Sequence, residues 1–249
     1  MKQRVLAVFM ATVLAAGMFA GCGKTETPKK DETTQGQTGA SDKDAEKSVS
    51  EEDAEEAGFT DGEELEADAS SGEGALLDVS KELTGIHHAE IAIKDYGTIE
   101  LELDADKAPI TVTNFVKLAQ ENFYDGLTFH RIMEGFMMQG GDPLGNGTGG
   151  SDETIKGEFE SNGVKNDISH ERGVISMARA TMPDSASSQF FICHEDSDFL
   201  DGEYAAFGHV TEGMDVVDKI CTTVKPQDPQ SGLVATEEQP VIESVKIID

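Results

Sequence analysis

Basic residues, cysteines and long apolar runs are all scarce in this sequence of 249 residues. Only 19 Lys and Arg accompany 49 Asp and Glu, a net charge of −30, so nucleic acid is not an expected partner. The three cysteines have no C-x-x-C spacing and the six histidines are scattered, so we predict no metal site. Tryptophan is absent, and no internal repeat is apparent.

The longest apolar run lies at the N-terminus. Residues 5–20 are shorter than the roughly 20 residues of a membrane span and are typical of a secretory signal. The run leads into Phe-Ala-Gly-Cys at residues 19–22, which resembles the lipobox of bacterial lipoproteins, although Leu is more common where Phe19 stands. The resemblance implies a signal peptide at 1–21 and a lipid on Cys22 that anchors the protein to the cell membrane, outside the cytoplasm. An ordinary signal peptide followed by a chance cysteine is the alternative.

The composition changes sharply after the cysteine. Between residues 31 and 78, 17 acidic residues stand against two lysines, with long gaps between apolar residues. Such a segment buries too little apolar surface to offset its ordering entropy, so we predict that residues 22–85 form a disordered acidic tether that begins at the lipidated cysteine. An acidic interaction or cation-binding tail is the alternative. An exported protein permits a disulfide between Cys193 and Cys221, but both lie in apolar stretches that equally suit buried free thiols.

Residues 86–249 have the pattern and the size of one globular domain. Alternating apolar residues at 89–93 and 99–103 predict a hairpin, and Pro109 opens a helix that ends near residue 121. Another helix is predicted at 214–220. Eight short strands and two helices predict a mainly β fold, a closed eight-stranded antiparallel barrel with a helix at each end. The remaining strands are predicted at 127–132, 136–139, 174–178, 190–193, 205–210 and 241–248.

Six sequence blocks within this domain resemble cyclophilins, and they occur in family order. The chain is therefore identified as a member of that family. The resemblance implies a cyclophilin-like barrel and a monomeric peptidyl-prolyl cis/trans isomerase that acts on proline-containing exported polypeptides and assists their folding. No cofactor is expected, because rotation about an amide breaks no bond. The blocks are residues 129–142, 145–150, 173–178, 187–192, 199–202 and 206–210.

The resemblance also implies the roles of individual residues. Arg131 would be catalytic, because its guanidinium can hydrogen-bond around the prolyl amide and weaken the amide resonance. This resonance is the source of the rotation barrier of about 18–20 kcal/mol. An apolar cup would hold the proline, and polar residues would orient the neighbouring backbone. The substrate-binding residues would be Phe136, Met137, Phe191 and Leu200 in the cup, Phe199 at its rim, Gln139 for orientation, and Thr148, Ala178, Arg179, Gln189 and Tyr204 along the groove.

Two positions depart from the pattern of many eukaryotic cyclophilins. Phe199 stands where those members carry tryptophan, and Tyr204 stands where they carry histidine. The missing indole N–H donor leaves cyclosporin sensitivity open. Residues 145–150 formally match G-x-G-x-x-G, but no helix follows them, as a dinucleotide site requires. A proline-segment-binding chaperone or scaffold with little turnover is the alternative function.

Overall fold

The structure is a computed structural model that describes residues 76–249. The predicted signal peptide at 1–21, the lipid site at Cys22 and most of the predicted tether at 22–85 lie outside the described residues. Neither α-helix within residues 76–249 has the length and apolar character needed to cross a membrane.

Eight antiparallel strands and two α-helices make up the described part of the chain. The strands pair in the order β3-β4-β6-β5-β7-β2-β1-β8, which curls the sheet into a half-barrel. The elements are β1 Ile86–Ile93, β2 Gly97–Asp104, α1 Pro109–Gln120, β3 Thr128–Met133, β4 Met137–Asp142, β5 Val174–Met177, β6 Phe190–Cys193, β7 Ala206–Glu212, α2 Met214–Thr223 and β8 Ile242–Ile247.

The prediction of a closed barrel is wrong, because β3 and β8 are the two ends of the sheet. They approach each other only near their starts, where Thr128 bridges Val241 and Phe129 N–H donates to the Pro240 carbonyl. Farther along β3, the loop at residues 231–234, which precedes β8 in the chain, pairs with β3 in place of β8. Because this loop satisfies the backbone groups at the edge of β3, closure by β8 is not required.

The predicted hairpin of β1 and β2 is confirmed. The two strands pair from Ile86 opposite Asp104 to Ile93 opposite Gly97, and their alternate apolar residues are almost completely buried. Strand β4 is longer than predicted because it continues through Gly140 and Gly141. A side chain at Gly140 would meet the Phe129 ring at 2.9 Å, so glycine permits a close strand approach here.

Helix α1 packs its predicted apolar face into the core. The Phe115 ring lies 5.2–5.6 Å from the rings of Tyr124, Phe190 and Phe207. The residue before Pro109 provides no side-chain cap, and a distant carboxylate replaces it. Buried Glu158 accepts hydrogen bonds from the Ile110 and Thr111 amides at 3.0 and 2.8 Å, so it binds the open N-terminus of the helix to the loop before β5.

Residues ahead of β1 also contact this core. Leu77, Val79 and Leu83 pack against it while partly buried, and Leu83 N–H donates to Thr113 Oγ1 at 2.8 Å. The packed part of the chain therefore begins before residue 86. Cys193 on β6 and Cys221 on α2 are buried free thiols, and burial raises the pKa of each to about 12.

Candidate active site

A cavity of about 150 Å³ opens where β3, β4 and β6 lie side by side. Its apolar floor belongs to a small hydrophobic cluster separate from the main core, in which Met137, Phe191 and Leu200 are at most 8% exposed. The size and the apolar floor suit a proline ring. Nine predicted site residues line this cavity: Arg131, Phe136, Met137, Gln139, Ala178, Arg179, Phe191, Leu200 and Tyr204.

Strand register brings the polar and apolar parts of the cavity together. Arg131 on β3 lies opposite Gln139 on β4, and Gln139 lies opposite Phe191 on β6. Alternation along β4 places Met137 on the same face as Gln139. One guanidinium, one amide and two apolar side chains therefore converge from three neighbouring strands.

The Arg131 guanidinium is held from one side. Its Nε donates to the Ser231 carbonyl at 2.8 Å, and Nη1 donates to Gln139 Oε1 at 3.2 Å. Its nitrogens also lie against the sulfurs of Met133 and Met137, which are weak acceptors. Burial lowers the pKa of Arg131, but an arginine in a protein stays charged. The group can exchange its sulfur contacts for a stronger acceptor on a bound peptide.

A chain of amides continues from Arg131 towards the glycine-rich loop. Gln139 Nε2 donates to Gln189 Oε1 at 2.8 Å, and Gln189 Nε2 donates to the Gly149 carbonyl at 2.7 Å. Each amide accepts through its oxygen and donates through its nitrogen, so the charged donor Arg131 sets the direction of the whole chain. The chain ends at the Gly149 carbonyl, so the orientation of Gln139 also depends on the loop at residues 144–149.

That loop is organised by the buried carboxylate of Asp142. Its two oxygens accept backbone hydrogen bonds from Leu144 at 2.8 Å, Asn146 at 3.0 Å and Gly147 at 2.5 Å. Burial alone would raise the pKa of Asp142, but these bonds and a further one from Gly149 hold it below its usual value. Thr148 lies on this loop, so its position also depends on the Asp142 carboxylate.

The Phe191 floor is supported from behind by histidine. The ring of buried His170 stacks on Phe191 at 6.1 Å between centroids. His170 Nδ1 lies 2.8 Å from Asp201, and Nε2 lies 3.0 Å from the Ser176 hydroxyl. Burial lowers the pKa of His170, although Asp201 opposes the shift, and the ring is fixed at both nitrogens.

Arg179 forms the wall between this cavity and a second one. Its guanidinium lies 4.8 Å from the Tyr204 ring centroid and 5.0 Å from that of Phe159, a cation–π contact on each side. Its Nε donates to the Glu203 carbonyl at 3.0 Å. These contacts hold Arg179 as a fixed wall residue.

The second cavity, of about 330 Å³, shares Gln139, Ala178 and Arg179 with the first. Thr148 and Gln189, the remaining predicted groove residues, line it. Phe199 is 69% exposed and lies at the rim of the first cavity, where its ring is 5.5 Å from that of Phe136. Every predicted substrate-binding residue thus lies in or beside two adjoining cavities.

The comparisons with known proteins agree with this geometry. A family model described as cyclophilin type peptidyl-prolyl cis-trans isomerase/CLD matches residues 88–248. The chain belongs to the cyclophilin family. Peptidyl-prolyl cis-trans isomerase B of Bacillus subtilis is 51% identical over 123 residues, which cover 49% of this chain and 82% of that protein. A Helicobacter pylori peptidyl-prolyl cis-trans isomerase is 52% identical over 126 residues, 50% of this chain and 74% of that protein.

Solved cyclophilin structures share the fold. A cyclophilin type peptidyl-prolyl cis-trans isomerase of Cryptosporidium parvum has a TM-score of 0.58 at 28% identity, covering 66% of this chain and 99% of that chain. A structure of the same protein in the presence of the dipeptide Ala-Pro has a TM-score of 0.57 at 29% identity and covers 65% and 99%. The present chain is a cyclophilin-type peptidyl-prolyl cis/trans isomerase.

Several residues of this cyclophilin site were not predicted from the sequence. Ser231 takes part through its backbone carbonyl, which leaves no side-chain pattern to recognise. Gly149 and Ser187 lie within the recognised blocks at 145–150 and 187–192, but no role was predicted for either. Ser185 lines the second cavity from the loop before β6, and its nearness to the block at 187–192 was the available signal. Within residues 76–249, no group of three or more His, Cys, Asp or Glu side chains is arranged to hold a metal ion.

Proposed function

We propose that this cyclophilin isomerises X-Pro bonds of exported proteins outside the cytoplasm and so assists their folding, with Arg131 as its catalytic residue. The observation that carries the proposal is the placement of the Arg131 guanidinium beside a cavity of about 150 Å³ that has an apolar floor. Uncatalysed rotation of an X-Pro bond takes tens to hundreds of seconds, slow enough to limit folding.

The proposed mechanism needs only binding and one charged donor. The proline ring would sit on Met137, Phe191 and Leu200, and Gln139 would hydrogen-bond to the substrate backbone. A donor directed at the prolyl amide is worth most when the amide twists, because the nitrogen lone pair then leaves the resonance system and becomes an acceptor. The related Cryptosporidium parvum structure determined in the presence of Ala-Pro supports a proline-containing occupant.

A protease-coupled assay on a proline peptide tests the proposal directly. The chain should accelerate cis-to-trans conversion in proportion to its concentration. Peptide binding without acceleration would favour the alternative, a chaperone or scaffold that holds proline segments. A refolding assay on an exported protein with a slow proline step then tests the proposed folding role.

We further propose that a lipid on Cys22 anchors the protein to the cell membrane, on the strength of the Phe-Ala-Gly-Cys sequence at residues 19–22. The wild-type chain should partition with membranes, whereas Cys22→Ser should be recovered without lipid, because serine lacks the thiol that is acylated. Metabolic labelling with a fatty acid measures this. Cys193→Ser is the matched control and should keep its label. Label retained on Cys22→Ser would place the anchor elsewhere.

The proposed acidic tether should add reach and contribute nothing to catalysis. We take its end as about residue 75 and not 85, because Leu77, Val79 and Leu83 pack against the core. A chain that begins at Ala75 keeps Leu77, Val79 and Leu83 and should show the turnover and cooperative unfolding of the longer soluble chain. A chain that begins at Ile86 is the matched comparison. It loses those apolar contacts and should unfold several degrees lower. Turnover is measured on a neutral proline peptide at physiological salt, where long-range charge effects are screened. A clear drop in the chain from Ala75 would contradict the tether role.

A further inference from the structure

A buried histidine lies behind the cavity, outside the set of residues that line it. His194 follows β6 and is 7% exposed. It contacts the turn at residues 133–136, which joins β3 to β4. Its Nδ1 lies 2.9 Å from Gly135 N–H, and its own backbone N–H donates to the Phe136 carbonyl at 2.8 Å. The turn is therefore held at two adjacent residues, once by a side chain and once by the backbone.

The Gly135 contact fixes the tautomer of the ring. A backbone N–H can only donate, so Nδ1 must accept, and the proton of the neutral imidazole must lie on Nε2. Nε2 lies 3.3 Å from Asp218 Oδ1 on α2. Arg172 holds Asp218 in turn, with Nη2 within 2.8–2.9 Å of both carboxylate oxygens, and Arg172 Nη1 donates to the His194 carbonyl at 2.6 Å.

The turn sets the position of one wall of the proline cavity. Phe136 lies at its end, packs against Phe199, and has the Arg131 guanidinium 5.8 Å from its ring centroid. Gly135 adopts a left-handed conformation, with φ of 79°, and its N–H donates to the side chain of His194. A change in the orientation of this peptide unit would be passed on to Phe136.

We propose that His194 is a positioning residue: its Nδ1 accepts the Gly135 N–H and so fixes Phe136 against the substrate and Arg131. Because His194 acts through Phe136, its role rests on the proposed function of the cavity. A donor at the Nδ1 position would face the Gly135 N–H, donor against donor. An acceptor at this position is therefore what holds the turn.

Two amide substitutions separate the two nitrogens of the ring. In His194→Asn the side-chain oxygen takes the place of Nδ1 and can still accept the Gly135 N–H, while the Asp218 contact is lost. In His194→Gln the amide reaches the place of Nε2 and Asp218 but leaves no acceptor at Nδ1. We expect His194→Asn to keep kcat/KM within about threefold, and His194→Gln to lose roughly tenfold, because small misplacements near a reacting centre are costly. The reverse order would overturn the proposal.

Hydrogen exchange at the Gly135 amide tests the contact without any activity. Exchange should be slow in the wild type and in His194→Asn and fast in His194→Gln. This result is independent of the proposed function, which fails only if the wild type does not turn over a proline peptide. Wild-type turnover together with fast Gly135 exchange in all three proteins would reject the role of His194 alone.

Discussion

Replacing Arg131 with alanine should leave a folded protein whose kcat/KM is about a hundredfold lower, since loss of one preorganised donor typically costs 10²–10³ in rate. The loss corresponds to about 2.7 kcal/mol of transition-state stabilisation. Folding should persist, because the paired backbone of β3 and β4 does not depend on the Arg131 side chain. The side chain does donate to the Ser231 carbonyl, so a modest fall in Tm is expected as well.

Two further variants show which property of Arg131 matters. Arg131→Lys keeps the charge but loses the planar fork, so it should recover little of the lost turnover if directed hydrogen bonds are essential. Lys165→Ala removes one positive charge at a site that is 89% exposed and should behave as the wild type. Turnover is measured on one proline peptide for all variants, alongside thermal unfolding. Wild-type turnover in folded Arg131→Ala would remove Arg131 from the mechanism.

Local periodicity was sufficient for the elements whose partners are close in sequence. Alternation at 89–93 and 99–103 gives the β1–β2 hairpin because both strands bury one face and a short turn joins them. Pro109 and the spacing of Phe115 likewise give α1. The edge of β3 could not be derived in this way. The loop at 231–234 lies about 100 residues away and binds through backbone groups, which any sequence provides.

The candidate site likewise has a part that could be predicted from the sequence and a part that could not. Arg131, Gln139 and Phe191 lie in blocks recognised from the sequence, and strand register alone then makes them neighbours. The contacts that orient them are of another kind. Gln189 reaches a backbone carbonyl at Gly149, and His194 accepts a backbone N–H at Gly135. Such contacts depend on three-dimensional chain path, so the residues could be predicted while their supports could not.

Among the residues that orient the site, Asp142 is the one whose substitution should lower stability most. In Asp142→Asn the shape is kept, but one oxygen becomes an NH₂ group that faces backbone N–H donors. At least one of the bonds from Leu144, Asn146 or Gly147 must then be lost and a donor left unpaired, which should lower the free energy of unfolding by about 2–3 kcal/mol at pH 7. Turnover should fall as well, because the Gly149 carbonyl that orients Gln189 and hence Gln139 belongs to the same loop.

The pH dependence of this loss follows from the direction of the shift. The pKa of Asp142 is lowered in the folded protein, so the carboxylate stabilises the fold above its unfolded pKa of about 3.9, and the contribution disappears as pH falls through the lower folded value. The stability difference between wild type and Asp142→Asn should therefore be full at pH 7 and shrink below about pH 4. Urea unfolding at a series of pH values measures it, with Asp152→Asn, the same charge change at an exposed position, as the control. A difference that is absent at pH 7, or that persists unchanged in acid, would show that the loop does not depend on the Asp142 carboxylate.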